Sequence, residues 1–265
     1  MKFFRYLDII LAYCSQYLKT LLSSRGDFLA QFFSDLVSQV MNLVVILVIF
    51  RHISSLSGWS EGEMLFLYGF FLLPNALFNA FFSNLFDVPE KYILQGQLDR
   101  ILTRPVNSLF QVLVEQLQPE SLWGLVSGLA VMGYAAVTIH WQFSWLDPVI
   151  GTILVLGATL IYGGIYIFLA SLAFWFEGNN ALMPTVYNLS VYGRYPVTVY
   201  KGLVRFVLTW ILPFAFTAFY PASLLLGRAE YFWLGWLTPV VGLITLAFGS
   251  AFWFLGVRRY TGAGS

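Results

Sequence analysis

The chain has 265 residues, 59% of them hydrophobic and 10% charged, with a net charge of +1 and a mean hydropathy of +0.76. Soluble domains carry roughly 25% charged residues, so this composition excludes an ordinary water-soluble globule and points to a polytopic membrane protein. The near-neutral balance and the lack of a long basic run argue against nucleic acid as a partner. The single cysteine, Cys14, excludes an internal disulfide and a cysteine-held metal cluster.

At the N-terminus, Asp8 interrupts the first apolar patch and no small-residue cleavage site follows, so a retained segment is expected rather than a cleaved signal. Phe3, Leu7, Ile10, Cys14, Tyr17 and Leu21 recur at spacings of three and four, with Lys2, Arg5, Asp8, Ser15 and Lys19 on the other faces. This predicts an amphipathic helix over 1–26 lying in the membrane interface. Six long apolar runs follow: Phe28–Phe50, Met64–Phe86, Leu122–Ile139, Val149–Phe176, Leu203–Phe219 and Phe232–Gly256. They are too long and too continuously apolar for barrel strands, and backbone in lipid must satisfy its own hydrogen bonds, so helices are predicted.

The expectation is therefore an all-α polytopic membrane protein, a single domain over 1–265 with six transmembrane helices. Pro213 and Pro221 break the region Leu203–Leu226, which predicts a broken or re-entrant helix before the last span. Of the 14 basic residues, all but Arg51 and Arg228 fall on one side if the N-terminus is cytoplasmic. Both termini are then expected inside, in the plasma (inner) membrane of a bacterium, embedded in lipid bilayer. On that topology Trp59, Trp141, Trp145, Trp233 and Trp236 are expected to form an interfacial belt at the outer boundary.

Two polar stripes interrupt the apolar runs. Gln31, Asp35, Ser38, Gln39 and Asn42 share one helical face of the first, and Asn75, Asn79 and Ser83 repeat every four residues in the second, after Pro74. Ionised Asp at a bilayer centre costs about 2.5–3.5 kcal/mol on insertion scales, so Asp35 must face protein or water. These stripes either line a translocation route or hold helices together, the latter worth roughly 0.6 kcal/mol per contact. Gly124 with Gly128, and Gly157, Gly163 and Gly164, are expected to let helices approach closely. Catalytic residues are expected to be none. His52 and His140 stand without a nucleophile motif or metal-ligand spacing, and there is no phosphate-binding loop of the Gly-x4-Gly-Lys type. Glu115 and Glu120 are candidates to pair with Arg100 or Arg104.

A charged stretch after the second run carries a family likeness. Gly96-x-Leu98-Asp99-Arg100-x-Leu102-x-Arg104-Pro105-x-Asn107 resembles the cytoplasmic segment of ABC-2-type permeases, the membrane subunits of one class of ATP-binding-cassette exporters. Arg194-Tyr195-Pro196 with Tyr200 resembles the Tyr-Pro segment before that family's fifth span. The ending Phe252-Trp253-x-x-Gly256-x-Arg258-Arg259-Tyr260-x-Gly262-Ala263-Gly264-Ser265 looks like the family's C-terminus. The resemblance implies a half-transporter that pairs with a second copy or a related permease and with cytoplasmic ATP-binding-cassette ATPases. It implies no cofactor on this chain, with ATP and Mg held by the partner ATPase. Within a cytoplasmic segment over 87–118, Asp99, Arg100, Arg104, Pro105 and Asn107 would contact that ATPase. The rival classes are a membrane-embedded enzyme using Asp35, Glu115 or a histidine, and a non-transporting membrane scaffold.

Overall fold

A computed structural model describes residues 25–176 and 181–262. Ten α-helices, joined by 3-10 and π turns, make up the described part, and no strand occurs in it. The amphipathic helix expected over 1–26 lies outside the described residues, except that Arg25 and Gly26 already belong to the first span.

Four of the long helices are α1 (Arg25–His52), α2 (Glu61–Phe82), α5 (Trp123–Thr138) and α6 (Asp147–Ser171). α2 starts at a capping box. Ser60 Oγ accepts from the Glu63 backbone N–H, and a Glu63 carboxylate oxygen accepts from the Ser60 N–H at 2.9 Å. After α2 the chain tightens into Ser83–Asp87 and Val88–Leu94, then forms two short helices, α3 (Gln97–Leu102) and α4 (Ser108–Glu115). α7 (Leu182–Ser190), α8 (Gly202–Phe206) and α9 (Phe219–Leu225) are short as well, and the final long helix α10 (Phe232–Val257) closes the fold. The end of the bundle carrying α3 and α4 is termed basal, and the end carrying Glu61 and Asp147 apical.

Packing has two centres. α6 and α10 form the tightest seam, because each places glycines against the other's backbone. A Cβ on Gly242 would stand 2.3 Å from the Gly157 carbonyl oxygen, and one on Gly249 2.3 Å from that of Gly164. α2 packs along α5 through Gly69 and Gly128, whose Cβ atoms would each meet the other's carbonyl oxygen at 2.8 Å. Between these seams lies an aromatic core: Phe78 has Tyr166 at 4.6 Å and Tyr162 at 5.4 Å between ring centroids. α1 stands apart, with Leu29, Phe33, Val37 and Met41 half or more exposed.

The fifth crossing differs from the expected Leu203–Phe219. The chain climbs from the basal end through α7, where Tyr187 lies against Asn79 and Phe86. It reaches mid-height at Arg194, whose guanidinium meets Asn42, halfway along the apolar part of α1. Gly202–Ile211 and Phe214–Leu225 then form a pair bent by 69°, the broken helix that the prolines predict. Gly193 touches the returning strand of chain, its Cβ position 3.2 Å from the Phe214 carbonyl oxygen. Arg194 therefore leaves the basic group that the residue count assigned to the inner flank. The apolar count missed α7 because its nine residues are too few to span and mix Pro184, Thr185, Asn188 and Ser190 with apolar ones.

The tryptophan belt also needs a correction. Trp145 and Trp233 are each 78% exposed, as an interfacial ring should be, but Trp59 is fully buried. The Arg228 guanidinium lies 4.0 Å from the Trp59 ring centroid, and Phe219 packs on it at 5.4 Å.

Candidate functional site

The two polar stripes meet. α1 and α2 cross with their polar faces towards one another, and the start of α5 and the α7 segment complete the wall of a cavity of about 330 Å³. α1 supplies Asp35, Ser38, Gln39 and Asn42, α2 supplies Tyr68, Asn75 and Asn79, and the α7 segment supplies Tyr187 and Arg194. Gln31 lies on α1, but its side chain is outside the described ones, and Ser83 falls past the end of α2, off the cavity.

Hydrogen bonds fix the wall. Asn79 Nδ2 donates to Asn75 Oδ1 at 3.0 Å and to the Tyr187 hydroxyl at 3.3 Å. Tyr68 donates to the Gln39 carbonyl at 3.3 Å, tying α2 to α1. Arg194 donates through Nη1 to Asn42 Oδ1 and through Nε to the Val191 carbonyl, while Asn42 Nδ2 donates to the Ser38 carbonyl. A guanidinium has no neutral form to fall back on, so a cation at this depth must keep polar company. The cavity places an acid, Asp35, and this cation among amides and hydroxyls, which suits passage of a polar or amphipathic group and offers no nucleophile–base pair. Among the described residues no three His, Cys, Asp or Glu side chains gather as a metal site.

At the basal end, the segment 87–118 folds into a compact knot. Gly96 adopts φ +69°, which only glycine does without strain, and this turns the chain into α3. Pro105 follows α3 and stops it, and Asn107 caps α4 by accepting the Phe110 N–H at 3.0 Å. Arg100 pairs with Glu115, the partner that the sequence allowed, and Tyr92 donates to the other oxygen of that carboxylate at 3.0 Å. Asn84 Nδ2 bonds the Tyr92 hydroxyl at 2.8 Å, and Gln111 Nε2 donates to the Val106 carbonyl at 3.0 Å. Trp253 Nε1 donates to Ser108 Oγ at 3.1 Å, which anchors α10 to α4. Asp99 lies against the C-terminal tail, its carboxylate 3.2 Å from the point a Cβ on Gly262 would occupy. The outer face of this knot presents Asp99, Arg100, Arg104, Pro105 and Asn107, all exposed, together with Leu94 and Leu102 at 51% and 40% exposure. Arg258 and Arg259 are exposed beside it.

A family model described as ABC-2 family transporter protein matches residues 36–264. The chain belongs to the ABC-2 transporter family. No curated protein and no solved structure matches it. ABC-2 membership makes the chain a multi-pass membrane permease subunit of an ATP-binding-cassette transporter, a transport component rather than an enzyme. It also implies association with an ATP-binding-cassette ATPase.

For this ABC-2 protein, the sequence located both stripes and the basal segment but not what joins them. In the sequence Arg194 stands out as an inner-flank cation and as part of a motif but not as a cavity residue, and Tyr68 and Tyr187 do not stand out. The available signal was an arginine inside a stretch, Tyr187–Tyr200, where tyrosines and small polar residues recur among apolar ones. The apolar companions of the basal arginines, Leu94 and Leu102, carry no sequence signal, since an exposed leucine reads like a buried one.

Proposed function

We propose that this chain is the permease subunit of an ATP-driven exporter, pairing with a second copy or a related permease and coupled to separate cytoplasmic ATPase subunits. Both termini face the cytoplasm, in the inner membrane of a bacterium. The observation that carries this reading is the basal knot, an exposed surface of mixed charge and leucine built on a rigid scaffold. A surface that receives force must not deform. The Arg100–Glu115–Tyr92–Asn84 chain of bonds and the Trp253–Ser108 anchor supply that stiffness. Arg104, with Asp99, Pro105 and the exposed Leu102, is the surface offered to the ATPase, whose carboxylates would meet the guanidinium by forked hydrogen bonds. ATP and Mg are held on that partner.

Force delivered there reaches the cavity by short paths. α2 runs from the knot to Asn79 and Asn75, and α7 with the turn Val191–Arg194 after it carries Tyr187 and Arg194 along the same wall. Closure of the ATPases would shift these helices against the loosely packed α1 and change the cavity between α1, α2 and α7. The polar stripes thus belong to the route, and the route takes a polar or amphipathic substrate.

The test is co-purification of the tagged chain from its native membrane in mild detergent, followed by mass spectrometry. An ATP-binding-cassette subunit is expected with wild type and depleted with Arg104→Glu. Absence of any ATPase from the wild-type preparation would sink the exporter reading and reopen the enzyme and scaffold alternatives. Recovery of a related permease, or only of this chain, decides the composition of the dimer.

A further inference from the structure

We infer that the apical half of the α5–α6 face is a binding site for one membrane phospholipid with an ammonium-bearing headgroup. α5 and α6 both pack on α2 but hardly touch each other, and between them an apolar groove of about 900 Å³ opens, floored by Phe66, Phe70 and Leu73. It extends from Leu125 to Val137 on α5 and from Asp147 to Leu156 on α6. At about 1.5 Å per residue these stretches cover about 14–18 Å, close to the depth of one leaflet of a hydrocarbon core about 30 Å thick. The groove is thus as long as an acyl chain of one leaflet and is apolar along that length.

Two glycines argue that something outside the protein fills it. Gly133 and Gly151 line the groove, and a Cβ on either would meet nothing within 4 Å. They differ in this from Gly69, Gly124 and Gly128, whose Cβ positions lie within 2.8 Å of a neighbouring atom. Close helix approach explains those three but not the groove pair.

At its apical mouth the groove runs into a second pocket of about 810 Å³, lined by Ser60, Glu61, Glu63 and Gln142. The two share His140, Trp141 and Leu225. Trp141 stands at the boundary, its Nε1 donating to the Leu225 carbonyl at 2.8 Å. The result is an amphipathic recess, apolar along one leaflet and polar at headgroup level. Its charge selects the head. Glu63 accepts from Arg228, whereas Glu61 is exposed at the first turn of α2 with no cationic partner among the described residues. A rim with an unmatched carboxylate repels an anionic head and favours a zwitterion, whose ammonium meets Glu61 while its phosphate takes a hydrogen bond from the His140 ring.

The site is distinct from the α1–α2–α7 cavity and does not depend on ATPase coupling. The full-length chain would be placed in vesicles of equal parts phosphatidylethanolamine and phosphatidylglycerol, one of the two carrying a photoreactive group on its acyl chain. Labelling by the ethanolamine lipid is expected to concentrate on peptides around residues 125–137 and 147–156. It should fall several-fold with Gly133→Trp and with Gly151→Leu, two independent ways of filling the groove, each checked for an unchanged melting temperature. Glu61→Gln is expected to erase the preference for the ethanolamine lipid over the glycerol lipid while leaving chain labelling in place. Labelling spread evenly over the lipid-facing helices, or unchanged by both filling variants, overturns the proposal. So does cross-linking between two copies through Gly133→Cys in place of lipid labelling, since a second copy then covers the groove.

Discussion

Arg228 holds three pieces of the apical end together. Its Nη2 donates to Glu63 Oε1 at 2.8 Å and to the Gly58 carbonyl at 2.8 Å, and its plane covers the buried Trp59 ring. Both ionised side chains are only about a quarter exposed, 25% and 24%, so removing one strands the other in poor solvent. Arg228→Ala is expected to cost about 1.5–3 kcal/mol, the usual range for a hydrogen bond to a charged group, with Arg228→Lys recovering part by keeping the charge without the fork. Thermal unfolding in detergent checks this, and an unchanged melting temperature for the alanine variant refutes it. Asn107 poses a different question at the same scale. The motif suggested an ATPase contact, but the side chain caps α4. Asn107→Ala should cost about 1 kcal/mol and weaken ATPase recovery in proportion to lost stability, whereas Asn107→Asp, which also caps, should preserve both. Recovery lost in the aspartate variant at full stability would return Asn107 to the docking surface. A motif in sequence places a side chain without saying whether its partner is on the same chain, and so Asn107 was legible as a motif residue but not as the cap of α4, whereas the Arg100–Glu115 pair was legible from its two charges.

Helices are legible where their apolar runs are long and uninterrupted, whether that surface meets lipid or protein. α1, α2, α5, α6 and α10 appear within a few residues of the apolar runs, since hydropathy sums the apolar residues of a span wherever they point, and 72% of the apolar stretch in each of α2 and α6 is buried in protein. α7 is only nine residues long and mixes polar with apolar ones, and so it scores as a loop although its Tyr187 packs on Asn79 and Phe86. The re-entrant pair was legible for a separate reason, the two prolines, which break helices whatever surrounds them. The α6–α10 seam is half legible: Gly157 and Gly164 stand out in α6, while nothing in the sequence marks their counterparts Gly242 and Gly249 in α10. These four glycines occur at a spacing of seven on each helix and interlock, with carbonyl oxygens where side chains would be. Gly249→Val is expected to force the helices apart at a cost of about 1–3 kcal/mol or more. Gly133→Ala, on an open face, should change the melting temperature little. Equal effects from the two would mean that the seam is not held by close backbone approach.

At the scale of the whole molecule, the basal knot and the mid-depth cavity are separate places joined by α2 and the α7 segment, and the proposed exporter needs both. Substitutions should therefore divide into two kinds. Arg104→Glu acts at the docking surface and should release the ATPase while leaving the fold intact. Arg194→Gln acts at the cavity wall. It removes the cation that joins the α7 segment to Asn42 on α1, and it should leave the ATPase bound in normal proportion. The bound ATPase should then turn over at a rate several-fold changed, because the helices it pushes no longer move α1 as a unit. Asn42→Ala should reproduce that phenotype, since it deletes the other end of the same contact, and the double substitution should add little to either single one. Quantifying ATPase stoichiometry and ATP hydrolysis in the same purified preparations separates the two kinds. If Arg194→Gln and Asn42→Ala shift hydrolysis independently and additively, the contact is only packing, and the path from knot to cavity runs through α2 alone.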